Sequence, residues 1–145
     1  MEEAGRKAYN AMCHLDNTTG SLELDPILAD LIRLRASMLN GCAYCVDMHS
    51  KDARAKGESE QRLYAVAAWQ EAPFFSPAER AALALTDALT LLAGNPLPDA
   101  VVAEAEEQLG VEGLAGATWV IVTINAWNRV AITSHSVAGE YEPGE

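Results

Sequence analysis

The sequence predicts an all-α, single-domain helical bundle. Ala and Leu are abundant, and Glu and Arg are interspersed among them, a composition that favours helix over sheet. Helix-type punctuation recurs along the chain, with Asp25-Pro26, Ser76-Pro77 and Pro98-Asp99 at starts and Asn40-Gly41, Gly57 and Gly110 at stops. No run of strand period has useful length, and there is no internal repeat or low-complexity segment.

Residues 1–15 read as a short helix with Ala8, Ala11, Met12 and Leu15 on one side, ended by the turn cluster Asp16-Asn17-Thr18-Thr19-Gly20. Within it Cys13 reads as a small buried hydrophobe and His14 as a surface residue. Asp25 caps the next helix and Pro26 occupies its first position, where a missing N–H costs nothing. Ile27, Leu28, Leu31, Ile32 and Leu34 form its apolar stripe, with Arg33 and Arg35 expected in solvent. Gly41 ends it in a left-handed turn. A third helix follows from about Gly41 to Lys56. Ser59 then caps a segment carrying Leu63, Tyr64, Val66, Ala67 and Trp69. Ser76-Pro77-Ala78-Glu79 is a capping box opening a Leu-rich helix. A more polar helix runs from Pro98-Asp99 to Leu109, and the last, from about Glu112 to His135, is apolar nearly all round. The tail 139–145 is expected to be loose.

Chain length and charge narrow the functions. The 145 residues suffice for one domain with its own core. A net charge of −11 repels phosphate backbones and anionic lipid, so neither nucleic acid nor a membrane surface is an expected partner. Residues 114–132 have Arg129 as their only charge, but they include Thr118, Thr123, Asn125 and Asn128, so they read as a buried core helix rather than a membrane span. Met1-Glu2-Glu3 is acidic with no apolar stretch behind it, and three unevenly spaced cysteines do not form a secreted disulfide framework. A cytoplasmic setting is the expectation. An apolar terminal helix in so small a domain is often covered by a partner subunit, so a homo-oligomer is expected, and a monomer mass in size-exclusion chromatography would contradict it.

The chemistry concentrates in Asn40-Gly41-Cys42-Ala43-Tyr44-Cys45-Val46-Asp47-Met48-His49. Cys42, Cys45 and His49 stand at i, i+3 and i+7, which places them on one helix face. A cysteine at a helix N-terminus becomes thiolate more readily, which favours Cys42 as the reactive sulfur. His49, one turn beyond Cys45, can take a proton or hold a thiolate. Asp30 could fix the tautomer of His49 or relay its proton if the two helices fold together. A peroxide attacked by one thiolate leaves a sulfenic acid, which the second thiol converts to a disulfide. Two other readings are open on residues alone. Two thiolates and an imidazole suit zinc, with Asp30, His14 or His135 as candidates for the fourth ligand. Otherwise, the three groups are simply buried packing.

The run Leu31-Ile32-Arg33-Leu34-Arg35-Ala36-Ser37, followed by Asn40-Gly41-Cys42-x-x-Cys45-x-x-x-His49, resembles the alkyl hydroperoxidase D-like (AhpD-like) core of the carboxymuconolactone decarboxylase superfamily. Glu60 to Tyr64, Trp69, Pro73-Phe74-Phe75 and Ile124-Asn125-Ala126-Trp127-Asn128-Arg129 extend the likeness over about residues 22–132. The resemblance implies trimers or hexamers and thiol-dependent reduction of hydroperoxides through a Cys42–Cys45 disulfide. It implies a dithiol reductant, lipoyl- or thioredoxin-like, and no cofactor or metal. It places peroxide attack on Cys45, against the dipole preference for Cys42, with resolution by Cys42 and assistance from His49. The family's relay glutamate falls at Asp30, one methylene shorter, and Tyr44 could donate a hydrogen bond to substrate. Members that decarboxylate lactones generally lack the cysteine pair. A decarboxylase-like enzyme, a general disulfide oxidoreductase and a non-catalytic metal- or ligand-binding oligomer are the alternatives.

Overall fold

A computed structural model describes residues 4–144. The described residues are helical, with no strand: α1 (Arg6–Thr19), α2 (Pro26–Asn40), α3 (Ala43–Ala55), α4 (Glu60–Ala65) continued by a 3-10 turn (Val66–Ala68), α5 (Pro77–Thr90) and α6 (Asp99–Thr133). The predicted caps form. Asp25 Oδ1 accepts the Leu28 N–H at 2.9 Å, and both hydrogen bonds of the Ser76/Glu79 capping box are made. Gly110 (φ 72°, ψ 173°) breaks α6 into the two helical runs that the sequence implies.

α2 is the central element and packs against α3, α5 and α6. Leu28, Ala29 and Ile32 join Ala82, Leu85, Ala117, Val120 and Ile121 in one apolar cluster. Leu31 and Leu34 join Ala53, Leu63, Val66, Trp69, Phe75 and Leu83 in the other. Each fully buried Leu or Ile contributes about 1.5–3 kcal/mol, so α2 anchors both halves of the core.

Being covered on nearly every side, α2 also buries Arg35 and half-buries Arg33, contrary to expectation. The Arg35 side chain, 10% exposed, pairs with Asp87 through Nε (2.6 Å) and Nη2 (3.0 Å). Its Nη1 donates to the Ala67 carbonyl at 2.9 Å. Arg33 turns toward Asp30 and α1. A guanidinium tolerates such burial because its planar fork matches a carboxylate.

α6 is long and apolar enough to cross a membrane by composition. It lies instead across the bundle against α2 and α5, with Thr123 and Asn128 fully buried. Its outer face leaves Trp119, Val122 and Ile132 about half exposed. A polar ladder joins α6 to the end of α2. Asn40 Nδ2 donates to Asn125 Oδ1 (3.0 Å) and Asn128 Oδ1 (2.8 Å), and Asn128 Nδ2 donates to Ser37 Oγ (3.0 Å). This is the structural work of the Asn-Ala-Trp-Asn-Arg element. It pins the residue just before Gly41, and hence the start of α3.

Both chain ends differ from expectation. α1 runs on through the turn cluster to Thr19, because the Thr18 and Thr19 hydroxyls bond back to the carbonyls of His14 and Asp16 at 2.8 and 2.7 Å. Residues 1–3 of the expected first helix lie outside the described residues. The tail is strapped along α3 rather than loose. The Gly139 N–H donates to Asp47 Oδ2 at 3.0 Å, and Lys51 Nζ donates to the Gly139 and Tyr141 carbonyls at 3.3 and 2.8 Å. The Tyr141 hydroxyl donates to Asp52 Oδ1 at 2.7 Å. A row of charged side chains on α3 thus captures backbone groups that a free tail would leave to water. Glu145 lies outside the described residues.

Candidate active site

Gly41 makes the turn that presents the cysteine pair. Its φ of 69° and ψ of 30° are left-handed, a conformation in which a side chain is strained. Cys42 follows as the N-cap of α3, one position earlier than a first-turn placement, and its Sγ accepts the Cys45 N–H at 3.3 Å. The partial positive charge of the helix N-terminus therefore falls on the Cys42 sulfur. Cys42 and Cys45 are joined by a disulfide, with Cα atoms 5.3 Å apart, and each is 2% exposed.

A cavity of about 230 Å³ opens beside this pair. Cys45 and His49 line it, and Cys42 does not. Tyr9, Met48, Ile124 and Trp127 supply apolar wall, while Arg33 and Asp16 supply charge. A second cavity of about 520 Å³ shares Tyr9, Tyr44 and Trp127 with the first. Tyr9 meets Trp127 edge-on, with ring centroids 5.4 Å apart. Tyr44 stands on the wall of both spaces.

A family profile and relatives agree on what this fold is. The sequence profile of the carboxymuconolactone decarboxylase family matches residues 6–88. The chain belongs to the carboxymuconolactone decarboxylase family. It is 37% identical over 130 residues to the uncharacterised protein YdfG of Bacillus subtilis (strain 168), covering 90% of this chain and 88% of that one. It is 36% identical, with a TM-score of 0.91, to the crystal structure of ATU0492 from Agrobacterium tumefaciens, covering 97% and 96% of the two chains. ATU0492 is described as a protein of unknown function, thought to be the antioxidant defence protein AhpD. The apo crystal structure of the debrominase Bmp8 shares the fold alone, at 22% identity and a TM-score of 0.84 over 95% of this chain and 74% of that one.

In this family member Asp30 is not hydrogen-bonded to His49. The Asp30 carboxylate, 1% exposed, takes Lys56 Nζ on Oδ2 and Arg33 Nη1 on Oδ1, the latter at 3.4 Å. Burial pushes its carboxyl upward, Lys56 and Arg33 pull it back, and Asp52 adds to the rise. Both ring nitrogens of His49 lie buried with no hydrogen-bond partner. The carboxylate that its Nδ1 faces is Asp52, at 3.9 Å.

His49 is held neutral. Burial first, then the charges of Arg33 and Lys56, push it down to about 3. The unfolded chain takes up this proton near pH 6.5, whereas the folded chain resists it until about pH 3, so stability falls as pH drops through that window. Between about pH 7 and about pH 5 the loss from His49 is about 2 kcal/mol. Asp30 acts in the opposite sense at lower pH, because its raised pKa lets the folded state keep a proton that the unfolded state releases. Urea unfolding of the wild type and His49→Gln at the two pH values isolates the histidine. The acid loss should be about 2 kcal/mol smaller in the variant, and parallel losses would refute the assignment.

Three participants escaped the sequence reading. Cys13, read as a buried hydrophobe, is a free, half-buried thiol on the cavity wall. Arg33 lines the same cavity, and Asp52 faces His49. Asp52 sits three residues after His49, so helical spacing could have found it. Cys13 and Arg33 reach the site across helix contacts that no local pattern encodes. Among the described residues no group of three or more His, Cys, Asp or Glu side chains is placed to hold a metal ion, and the zinc candidates His14 and His135 are exposed.

Proposed function

We propose that this protein reduces organic hydroperoxides, with Cys45 as the attacking thiolate and Cys42 as the resolving thiol. The supporting observation is a disulfide-forming pair of which Cys45, and not Cys42, lines a cavity together with a neutral histidine. His49 takes the Cys45 thiol proton in step with the attack and hands it to the departing alkoxide, so no imidazolium has to persist. The thiolate attacks the terminal peroxide oxygen and the O–O bond breaks. Cys45 becomes a sulfenic acid, and the departing alkoxide takes the proton to leave as an alcohol. The Cys42 thiol then attacks the Cys45 sulfur and expels water, closing the disulfide. Two thiols and one hydroperoxide thus yield a disulfide, an alcohol and water.

A dithiol reductant restores the pair. Its thiolate attacks Cys45 from the cavity and expels Cys42, whose thiolate is stabilised by the N-terminus of α3. The dipole preference for Cys42 and the family assignment of attack to Cys45 then describe different steps: Cys42 is the better leaving group and Cys45 the accessible nucleophile. The description of ATU0492 as a protein of unknown function thought to be the antioxidant defence protein AhpD supports this reading.

The test is a thiol count on reduced protein before and after one equivalent of an organic hydroperoxide. Two thiols should disappear per peroxide, with the Cys42–Cys45 disulfide recovered by peptide mapping. Unchanged thiols would remove the peroxidase reading. A decarboxylase acting on an organic acid would keep its activity with both thiols blocked, which separates that alternative.

A further inference from the structure

We propose that Asp52, held in place by Tyr141 of the C-terminal strap, is the carboxylate that orients His49, and that the strap is therefore part of the active site. The inference rests on the thiol chemistry proposed above only in assigning His49 a proton to carry. Its basis is geometric. His49 lies almost wholly buried with neither ring nitrogen satisfied, an arrangement that costs about 1–3 kcal/mol per group unless a partner closes on it. Asp30 makes no hydrogen bond or ion pair to either ring nitrogen; its two oxygens face Arg33 and Lys56. Asp52 Oδ2 stands 3.9 Å from His49 Nδ1, one turn along the same helix.

The other oxygen of Asp52 is committed. Oδ1 accepts the Tyr141 hydroxyl at 2.7 Å. Tyr141 is itself fixed, because Lys51 Nζ holds its carbonyl at 2.8 Å and Asp47 holds the Gly139 N–H at 3.0 Å. Burial and the neighbouring Asp52 carboxylate push the Tyr141 hydroxyl up to about 12, so it remains a donor at neutral pH. Asp52 is thereby turned with Oδ2 toward the histidine. Catalytic hydrogen bonds are often long in resting structures, and a movement of about 1 Å brings this one into range. With Nδ1–H directed to Asp52, Nε2 carries the lone pair and is the atom that takes a thiol proton. When it does so, the Asp52 charge stabilises the imidazolium.

The ring tautomer of His49 in the reduced protein, read by long-range ¹H–¹⁵N correlation, tests this without any peroxide. The signal is assigned by its absence in His49→Gln. Wild type should show the proton on Nδ1 and a bare Nε2. Asp52→Asn and Tyr141→Phe should weaken that preference, and Asp30→Asn should leave it in place. Alkylation of Cys45 by iodoacetamide should slow about tenfold in Asp52→Asn, with recovery in Asp52→Glu. A wild-type proton on Nε2, or a tautomer that responds to Asp30→Asn and not to Asp52→Asn, would overturn the proposal. Tyr141→Phe removes a single hydroxyl at the edge of the fold, so the test survives if the Asp52 variants fail to fold. If the tautomer is as expected and hydroperoxide leaves the thiols untouched, the positioning role stands and the peroxidase reading falls.

Discussion

Cys45→Ser lowers hydroperoxide turnover by roughly 10³-fold, to the background of the remaining thiols, while Cys42→Ser completes one attack and then stops. The two variants separate because only Cys45 lines the cavity, whereas Cys42 sits under the N-terminus of α3 as its cap. In Cys42→Ser the sulfenic acid formed on Cys45 has lost its partner one turn away, so dimedone should label it. Cys13 lines the same cavity and could substitute as resolving thiol, so the measurement belongs in a Cys13→Ser background. Cys42→Ser/Cys45→Ser should be no slower than Cys45→Ser alone, since residues acting as one unit are not additive. The reverse pattern, dimedone labelling of Cys42 in Cys45→Ser and none in Cys42→Ser, would mean that the helix dipole rather than the cavity chooses the nucleophile.

Asp87→Ala destabilises the fold by about 3–5 kcal/mol, which lowers the melting temperature by roughly 10 °C. Asp87 takes two hydrogen bonds from Arg35, one from Trp69 Nε1 at 3.1 Å and one from Gln70 Nε2 at 3.1 Å. It joins α5 to α2 and to the turn after α4. Truncation leaves the Arg35 guanidinium buried, with backbone carbonyls as its remaining acceptors. Most of the cost is that stranded charge, since the pair repays its own desolvation only in part. Arg35→Leu/Asp87→Leu should therefore lose clearly less than the sum of the two single leucine variants. Additive losses in thermal unfolding, or a loss below about 1 kcal/mol for Asp87→Ala, would show that the pair is no more than a surface salt bridge.

The parts of this protein legible in its sequence are those governed by short-range rules. Asp25, Ser59 and Ser76 cap helices because their side-chain oxygens reach backbone N–H groups three residues on. Gly41 turns the chain because it carries no Cβ. Cys42, Cys45 and His49 share a face because a helix repeats every 3.6 residues. Family membership is legible for the same reason, because its signature is a local run of residues.

The tertiary structure decided which charges meet. Asp30 was a candidate to orient His49 if α2 and α3 packed together; they do, and the hydrogen bonds its carboxylate makes go to Lys56 and Arg33. Arg33 and Arg35 were expected in water, and the central place of α2 buries Arg35 and half-buries Arg33. Cys13 reaches the cavity because α1 crosses it, and Tyr141 reaches Asp52 because the tail lies along α3. A buried charge must be paired by whichever opposite charge the packing brings near. That choice depends on contacts between residues far apart in the chain, which helical periodicity does not encode.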